Sequence, residues 1–294
     1  MAMDGRERQA VVNAARCAMP FISVEANNLK FIFDKNDRCI SDAMMLSDSI
    51  WSGTEMRFCL DWLSKEGHQG PEGGWIFDIG ANVGTTSLFF RQALGRKYRF
   101  IAFEPLPDTY RILKANCVLN GFYDIICEEL ALSNRRREAT FYLNEGNTGA
   151  SSMNREWAAN SQKGYKCQLI TLDEYMSLLN ILPQELAFLW VDVEGYEPQF
   201  IEGAMETLRK TSAPLYMEFN PWFYKEQGNY DSFIANLVQV YDSIVRFSGT
   251  NGTVFRFVES PIQDLPGLMR EMELSGIRQY DLLLVKRAAK HVCR

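Results

Sequence analysis

The hydrophobic pattern of the chain alternates strand and helix signals, most clearly in WIFDIGANVGTT at residues 75–86. An apolar run of three residues predicts a buried strand, the glycines after it predict a tight turn, and the apolar period of residues 85–94 predicts an amphipathic helix. The next apolar run, at residues 99–103, predicts a second parallel strand. Together these segments predict a ligand site across the carboxyl ends of two parallel strands.

The rest of the chain continues this pattern and predicts one α/β domain with an addition at its N-terminus. Further helices are predicted at residues 4–19, 52–65, 109–119, 171–179, 200–208, 230–241 and 265–274, and further strands at residues 125–132, 139–143, 187–191, 214–217, 254–258 and 281–285. A hairpin is predicted over residues 21–33, with Asn27 and Asn28 at its turn. We therefore divide the chain into an extension of helix and hairpin at residues 1–50 and a main domain at residues 51–294.

A long polar segment, Glu145–Lys166, interrupts the pattern. Loops of this length in compact domains are usually lids or binding loops, or else mobile surface segments, and the sequence leaves both open. The sequence T-L-D-E at Thr171–Glu174 follows it, and this capping box predicts the start of the helix at residues 171–179.

The composition is that of a globular protein, with 47% of the 294 residues hydrophobic and 23% charged. No apolar run approaches the roughly 20 residues of a membrane helix, and the N-terminus lacks the apolar core of a signal peptide, so we expect a soluble cytoplasmic protein without membrane contact. The formal net charge of −6 makes nucleic acid an unfavourable partner. Seven scattered cysteines without a C-x-x-C pair predict free thiols rather than zinc ligands or disulfides. The oligomeric state stays open, a homodimer included.

The glycine turn and the tip of the next strand narrow the class of ligand. Glu104 follows the second strand, where a carboxylate can accept hydrogen bonds from two ribose hydroxyls. A dinucleotide site has a glycine where this turn has Asn82, and Asp78 adds negative charge, so both residues disfavour a phosphate. S-adenosylmethionine carries an ammonium and a sulfonium but no phosphate. We therefore predict a nucleoside site that binds S-adenosylmethionine.

Several ordered motifs resemble those of FkbM-type methyltransferases. These motifs are DIGANVG at residues 78–84, FEP at 103–105, N-x-G-x-S-S at 147–152, TLDEY at 171–175, D-V-E-G-x-E at 192–197 and Y-M-E at 216–218. The resemblance implies a class I, Rossmann-like fold with a mostly parallel seven-stranded sheet, an antiparallel edge strand and helices on both faces. It also implies S-adenosylmethionine-dependent methylation of a hydroxyl on a sugar, glycan or natural product. Trp190 departs from the family pattern, which often has a polar or basic residue there.

The resemblance also implies which positions hold the cofactor. They are Asp78, Gly80, Ala81, Asn82, Gly84, Glu104 and Asp192, with the adenine near Ala131 and Leu132. The signature acid motif contributes Asp192, Glu194 and Glu197, of which we expect Glu197 to be structural.

Methyl transfer to a hydroxyl requires a group that removes the proton of the acceptor. His68 lies in an entry loop and His291 lies near the chain end, so both are poorly placed as a base. Asp192, Glu194 and Glu218 follow buried strands whose carboxyl ends face one crevice. We predict that one of these acids orients the acceptor and takes its proton. The alternative is that Asp192 and Glu194 cap the following helix.

Other assignments stay open at this level. The side chains predicted to contact the acceptor are Asn147, Ser151, Tyr196, Asn220 and Trp222. A variant of the chemistry assisted by Mg²⁺ would use Asp192, Glu218 and Asn220 as oxygen ligands and would be sensitive to EDTA. The rival functions are a nucleotide-sugar glycosyltransferase, an N-methyltransferase acting on a small molecule or peptide, and a non-catalytic interaction domain.

Overall fold

Helices and strands alternate through most of the chain, as the hydrophobic pattern predicts. The computed structural model describes residues 5–65, 70–159, 161–249 and 255–286. The helices are α1 (Gly5–Ala18), α2 (Ile40–Ser47), α3 (Gly53–Ser64), α4 (Thr85–Leu94), α5 (Pro107–Leu119), α6 (Leu172–Leu179), α7 (Glu197–Lys210), α8 (Pro221–Glu226), α9 (Tyr230–Val240) and α10 (Leu265–Ser275). The strands are β1 (Phe21–Ala26), β2 (Leu29–Asp34), β3 (Trp75–Ile79), β4 (Arg99–Phe103), β5 (Ile125–Glu128), β6 (Ala131–Leu132), β7 (Arg137–Tyr142), β8 (Gly164–Ile170), β9 (Leu186–Val191), β10 (Leu215–Phe219), β11 (Ser243–Gly249), β12 (Phe255–Pro261) and β13 (Tyr280–Val285). Within the described ranges, every helix is too short or too polar to span a membrane.

The main sheet has the strand order β12-β11-β13-β10-β9-β3-β4-β5. Neighbouring strands from β10 to β5 run parallel, whereas the pairs that join β10, β13, β11 and β12 are antiparallel. The predicted α/β fold, with a mostly parallel sheet and an antiparallel edge, is confirmed. The sheet has eight strands rather than the predicted seven, because β12 pairs with β11 at the outer edge.

Each face of the sheet packs its own hydrophobic cluster, because successive side chains of a strand point to opposite faces. Phe77 and Ile79 of β3 belong to one cluster, and Ile76 belongs to the other. The second cluster continues into the N-terminal extension, where Phe31 and Phe33 are fully buried. The extension and the main domain therefore share a core.

The hairpin β1–β2 turns at Asn27 and Asn28 as predicted, with φ angles of 53° and 59°. Asn116 of α5 ties this hairpin to the main domain. Its side chain accepts a hydrogen bond from the Ile32 N–H at 2.7 Å and donates to the carbonyl oxygens of Ile32 at 3.1 Å and Val83 at 2.9 Å. One buried amide thus satisfies three backbone groups from two parts of the chain.

Four elements, α2, α8, β8 and β11, are absent from the sequence prediction. β8 begins at Gly164, inside the segment predicted to be a loop, and pairs with β7 in a second sheet of order β6-β8-β7. The strand predicted over residues 125–132 divides into β5 and β6, which belong to different sheets. His68 and His291 lie outside the described residues.

Replacing Asn116 with Leu tests the hydrogen bonds that connect the hairpin to the main domain. Leu has a similar branched shape but no polar atom, so the substitution leaves three backbone groups without their partner, and we expect the free energy of unfolding to fall by about 2–4 kcal/mol. Urea denaturation of the purified protein measures this change. The control is Lys114→Leu on the exposed side of the same helix, which should change stability by less than about 0.5 kcal/mol. A similar small change for both variants would contradict the assignment.

Candidate active site

A cavity of about 610 Å³ opens at the carboxyl ends of the parallel strands. Its walls come from the loops after β3, β4 and β9, from β10, from the segment that joins α2 to α3, and from the loop between β7 and β8. The predicted site residues that line it are Gly80, Ala81, Asn82, Glu104, Leu132, Asn147, Ser151, Asp192, Glu194, Tyr196 and Glu218. The volume lies in the usual range of sites for small molecules and cofactors.

The turn after β3 brings its backbone against the tip of β9. Gly80 has a φ of 87°, and a Cβ atom there would lie 1.8 Å from the carbonyl oxygen of Asp192. On the other side of this contact, the Asp192 N–H donates a hydrogen bond to the Ile79 carbonyl at 2.9 Å. Because only glycine meets both the conformation and the close approach, the glycine turn and the first strand-tip acid form one rigid unit.

Glu104 is buried, and backbone donors fix its carboxylate. The Asn82 N–H donates to Oε2 at 3.0 Å, and the Leu106 N–H donates to Oε1 at 2.9 Å. Burial raises the pKa of Glu104 to about 7, and the two backbone hydrogen bonds oppose that shift. Each of the two carboxylate oxygens can still accept a further hydrogen bond. The residue lines the cavity and can accept hydrogen bonds from two neighbouring hydroxyls, such as those of a ribose.

Three further acids, Asp192, Glu194 and Glu218, line the cavity beyond the glycine turn. Burial raises the pKa of Asp192 to about 6. Burial, and then the charge of Asp192, raise the pKa of Glu194 well above its usual range. Burial, and then the charge of Glu194, do the same for Glu218. Asp192 is therefore the most acidic member of this trio.

The acid motif after β9 is built as a left-handed turn. Glu194 and Gly195 have φ angles of 51° and 88°, so Glu194 adopts a conformation that costs a non-glycine residue about 1 kcal/mol or more. Glu197, which we expect to be structural, is fully buried, and its Oε1 accepts a hydrogen bond from the Val193 N–H at 3.1 Å. This bond closes the turn and directs Glu194 into the cavity wall.

The loop between β7 and β8 lies over the cavity and is anchored on both sides. The Thr148 hydroxyl donates to Asp37 at 2.8 Å, and its oxygen lies 3.2 Å from the side-chain oxygen of Asn82. Farther along the loop, the ring of Trp157 stacks on Phe223 with 4.2 Å between centroids. Of the two possibilities that the sequence leaves open, these contacts favour a binding loop.

The N-terminal extension and the last strand also contribute to the site, which the sequence pattern does not predict. Ile40 and Ile50 line the cavity next to Glu55 of α3, and Asp281 of β13 lines it from the sheet. The apolar residues have the spacing of ordinary core positions, so only the path of the chain shows that they border a cavity. For Asp281 the sequence offers a signal, because it is the one acid in the apolar strand β13, whereas Glu55 is one of several charged residues in α3.

Four predicted site residues do not line the cavity. Asp78 is 2% exposed and accepts a hydrogen bond from the Ser87 hydroxyl at 2.5 Å, because its side chain points to the face of the sheet that α4 covers. Gly84 precedes α4 with a φ of 93°, Asn220 precedes α8, and Trp222 lies within α8. These residues support the walls of the site, and direct contact with a ligand stays a prediction for them.

The structure does not bring the predicted magnesium ligands together. Asp192 and Glu218 line the cavity, but Asn220 does not. Within the described part of the chain, there is no group of three or more His, Cys, Asp or Glu side chains close enough to bind a metal ion.

Residues 78–246 match the family model of the methyltransferase FkbM domain, which is more than half of the 294-residue chain. The chain belongs to the FkbM methyltransferase family. This membership identifies an S-adenosylmethionine-dependent methyltransferase with a class I, Rossmann-like fold, in place of the glycosyltransferase and interaction-domain alternatives. The comparison with curated proteins found no match to the chain.

Solved methyltransferase structures are similar to this FkbM-family chain at low sequence identity. The methyltransferase FkbM of Methylobacillus flagellatus KT is 11% identical, over 83% of this chain and 52% of its own, with a TM-score of 0.44. A SAM-dependent O-methyltransferase of Thermotoga maritima is 13% identical, over 92% and 80%, with a TM-score of 0.41. The tRNA m1G37 methyltransferase of M. jannaschii is 12% identical, over 92% and 55%, with a TM-score of 0.40. This chain spans about half the length of the Methylobacillus protein, and none of these likenesses indicates an acceptor.

Replacing Gly80 with Ala tests the contact between the glycine turn and β9. The new methyl group would overlap the Asp192 carbonyl, so we expect a loss of at least about 3 kcal/mol in the free energy of unfolding and weaker binding of S-adenosylhomocysteine. Urea denaturation and titration calorimetry measure the two effects.

The matched control is Gly276→Ala at the end of α10. Gly276 has a similar φ of 69°, but a Cβ atom there meets nothing within 4 Å. The free energy of unfolding of this variant should fall only by the conformational cost of about 1 kcal/mol, and its affinity for S-adenosylhomocysteine should stay the same. Equal losses in the two variants would show that φ alone, rather than the approach to Asp192, explains the glycine.

The buried acids predict that the ligand-free protein loses stability as the pH rises. Burial raises the pKa values of Asp78, Glu104 and Glu197 to about 7, from ordinary values of 3.8 for Asp and 4.5 for Glu. Between these limits the folded state binds more protons than the unfolded state, so the stabilisation is complete below about pH 4 and is lost by about pH 7. Each group contributes a slope of up to about 1.4 kcal/mol per pH unit. Urea denaturation between pH 5 and pH 8 measures the slope.

Glu197→Gln identifies the contribution of one acid to this slope. Its side-chain oxygen can still accept from the Val193 N–H, so the fold is kept while one titrating group is removed. The slope of the free energy of unfolding against pH should then become smaller by the contribution of one titrating group, up to about 1.4 kcal/mol per pH unit. Asp124 and Glu185 have lowered pKa values and do not contribute in this range. A stability that increases from pH 5 to pH 7 would contradict the assignment.

Proposed function

We propose that this FkbM-family methyltransferase methylates a hydroxyl of a small-molecule acceptor, such as a sugar, glycan or natural product, with Asp192 as the base. The proposal rests on one observation, which is a single cavity with two ends of different chemistry. The Gly80 turn and Glu104 form one end, and the acids at the tips of β9 and β10 form the other. S-adenosylmethionine, when bound, supplies an electrophilic methyl group on a sulfonium.

The donor end, which we define as the Gly80 turn, Glu104 and residues 130–132, has the features that a nucleoside needs. Glu104 offers carboxylate oxygens held in place by two backbone N–H groups. Leu130 and Leu132 provide apolar surface for an adenine. The close approach of Gly80 to β9 leaves the backbone of the turn open to the cavity. These features support a bound nucleoside rather than a diphosphate.

Asp192 supports the role of base by its position and its pKa. It follows β9 directly, next to the donor end, and its pKa of about 6 leaves it ionised at neutral pH but basic enough to accept a proton. The acceptor oxygen must lie about 3 Å from the methyl carbon in line with the breaking bond. A base fixed to the same backbone unit as the donor turn can hold that alignment.

Glu194 and Glu218 have a different part in the proposal. Burial raises the pKa values of both carboxyl groups, and both line the cavity, where they can form hydrogen bonds with polar groups of the acceptor. Asn147, Ser151 and Tyr196 add polar groups from the overlying loop and the acid motif. Together these side chains orient the acceptor relative to Asp192.

The charge of the cavity supports a small molecule rather than a nucleic acid as the acceptor. None of the described residues that line it is Lys, Arg or His, and six are acidic. Phosphates bind where Lys and Arg neutralise them, so a nucleic acid backbone would be repelled from this site.

Asp192→Asn tests the assignment of the base. The amide keeps the size of the side chain but cannot take a proton, so methyl transfer should fall by at least about 100-fold. We expect S-adenosylhomocysteine to bind with little change in affinity. The assay uses radiolabelled S-adenosylmethionine with a panel of sugars, glycosides and hydroxylated natural products, and calorimetry measures ligand affinity.

Asp231→Asn, an equivalent change at an exposed position of α9, is the control and should keep full activity. Full activity in Asp192→Asn would remove Asp192 from the mechanism. Binding of a UDP-sugar or NAD by the wild-type protein, without binding of S-adenosylhomocysteine, would overturn the proposed function itself.

A further inference from the structure

The cavity has more carboxyl groups than the methyl donor can contact. Its acidic residues are Glu55, Glu104, Asp192, Glu194, Glu218 and Asp281. Glu104 and Asp192 adjoin the donor, which carries two positive charges and one negative charge. Four carboxyl groups are therefore left around the acceptor end, which we define by Glu55, Glu194, Glu218 and Asp281.

The sheet places two of these acids directly opposite each other. Glu218 of β10 and Asp281 of β13 are antiparallel partners in the strand register. Glu55, in the first turn of α3, borders the same cavity and is 7% exposed. Like charges at directly opposite positions destabilise a pair of strands. An opposite charge bound beside them would relieve that repulsion.

Glu218 also lacks a partner of its own. The residue is 9% exposed, and its Oε2 is buried without a hydrogen-bond partner although the side chain lines the cavity. Its neighbours are better satisfied, since Tyr216 forms a hydrogen bond with Asp281, and Arg57 opposes the effect of burial on the pKa of Glu55. Asp78 and Glu197 also have a buried carboxyl oxygen without a donor, but of these three residues only Glu218 lines the cavity, where a ligand donor can reach it.

The floor of the acceptor end is aromatic. The rings of Trp190 and Tyr216 stack with 3.6 Å between centroids and an angle of 18°, and both residues line the cavity. Apolar surroundings strengthen the attraction between a carboxylate and a bound cation, and aromatic rings are themselves favourable neighbours for cations. The floor therefore suits an organic cation with an apolar body.

We propose that the acceptor end binds a positively charged nitrogen group of the acceptor, an ammonium or guanidinium, between Glu218, Asp281 and Glu55. The inference rests on the proposed function, because it assigns the donor end to S-adenosylmethionine. An ammonium or guanidinium spreads several N–H donors over a few ångströms. This matches carboxyl groups that come from three separate elements and that, among the described residues, form no cluster tight enough for a metal ion. The acceptor is thus a hydroxylated molecule that bears a basic nitrogen.

Three probes of similar shape and different charge test this inference on the full-length protein saturated with S-adenosylhomocysteine. They are phenethylamine, 2-phenylethanol and phenylacetate, and ligand-observed NMR titration measures their affinities at pH 7.5. We expect the amine to bind at least about tenfold more tightly than the alcohol. We expect the carboxylate to bind least, because it would be repelled by the acids.

Glu218→Gln and Asp281→Asn should each remove most of the preference for the amine, a loss of about tenfold, while the affinity for S-adenosylhomocysteine stays the same. The unchanged affinity shows that each variant is folded. Asp231→Asn, which removes an exposed acid from α9, is the matched control and should keep the preference for the amine.

The other possible results distinguish failure of the inference from failure of the proposed function. Equal binding of the three probes, or no binding of the amine at millimolar concentration, overturns the inference and leaves the proposed function standing. Displacement of the amine by Mg²⁺ or Ca²⁺ at lower concentration overturns it in favour of a metal site. Failure of the wild-type protein to bind S-adenosylhomocysteine is a failure of the proposed function instead.

Discussion

The contact between Gly80 and the Asp192 carbonyl sets the relation between the two ends of the cavity. A Cβ atom at Gly80 would lie 1.8 Å from that oxygen, so the turn after β3 can approach β9 only because it has no side chain. The bond from the Asp192 N–H to the Ile79 carbonyl fixes the same two strand tips from the other side. The donor turn and the proposed base therefore move together. In-line transfer depends on an alignment of this kind, since displacements of an ångström cost large factors in rate.

The cavity depends on parts of the chain that are distant in sequence. Ile40 and Ile50 come from the region before the main domain, and Asp37 next to them binds the hydroxyl of Thr148 in the overlying loop. The Arg38 N–H adds a bond to the carbonyl of Gly146 at 2.8 Å. Because the extension shares a hydrophobic core with the sheet, its position is fixed by packing rather than by a few polar contacts. The extension is thus part of the site and not an appendage to it.

The sequence predicts those features that depend on local pattern. The apolar runs of β3, β4 and β9 identify buried parallel strands, and the N-cap half of the predicted capping box is present, with the Thr171 hydroxyl accepting from the Glu174 N–H at 3.0 Å. The Glu174 carboxylate contacts Arg136. Features that depend on which segments meet are not predictable in this way. β8 lies in a polar segment and is held by pairing with β7, and Glu55 becomes a cavity residue only because α3 packs over the sheet. The hydrogen bond between Ser87 and Asp78 is another feature that the local pattern does not predict, because it depends on how α4 packs against β3.

The glutamates of this site show that hydrogen-bond donors, and not side-chain type, decide what a buried acid does. Glu104 receives two backbone N–H groups and is thereby held as an acceptor for hydroxyls. Glu197 receives the Val193 N–H and closes a turn. Glu218 has an oxygen for which the protein supplies no donor. Backbone N–H groups hold the first two in place, whereas Glu218 lines the cavity, and since a buried carboxyl is stable only with a proton or a donor, its state depends on what enters there. Its specificity is therefore for a donor, and the facing Asp281 makes a positively charged donor the most favourable one.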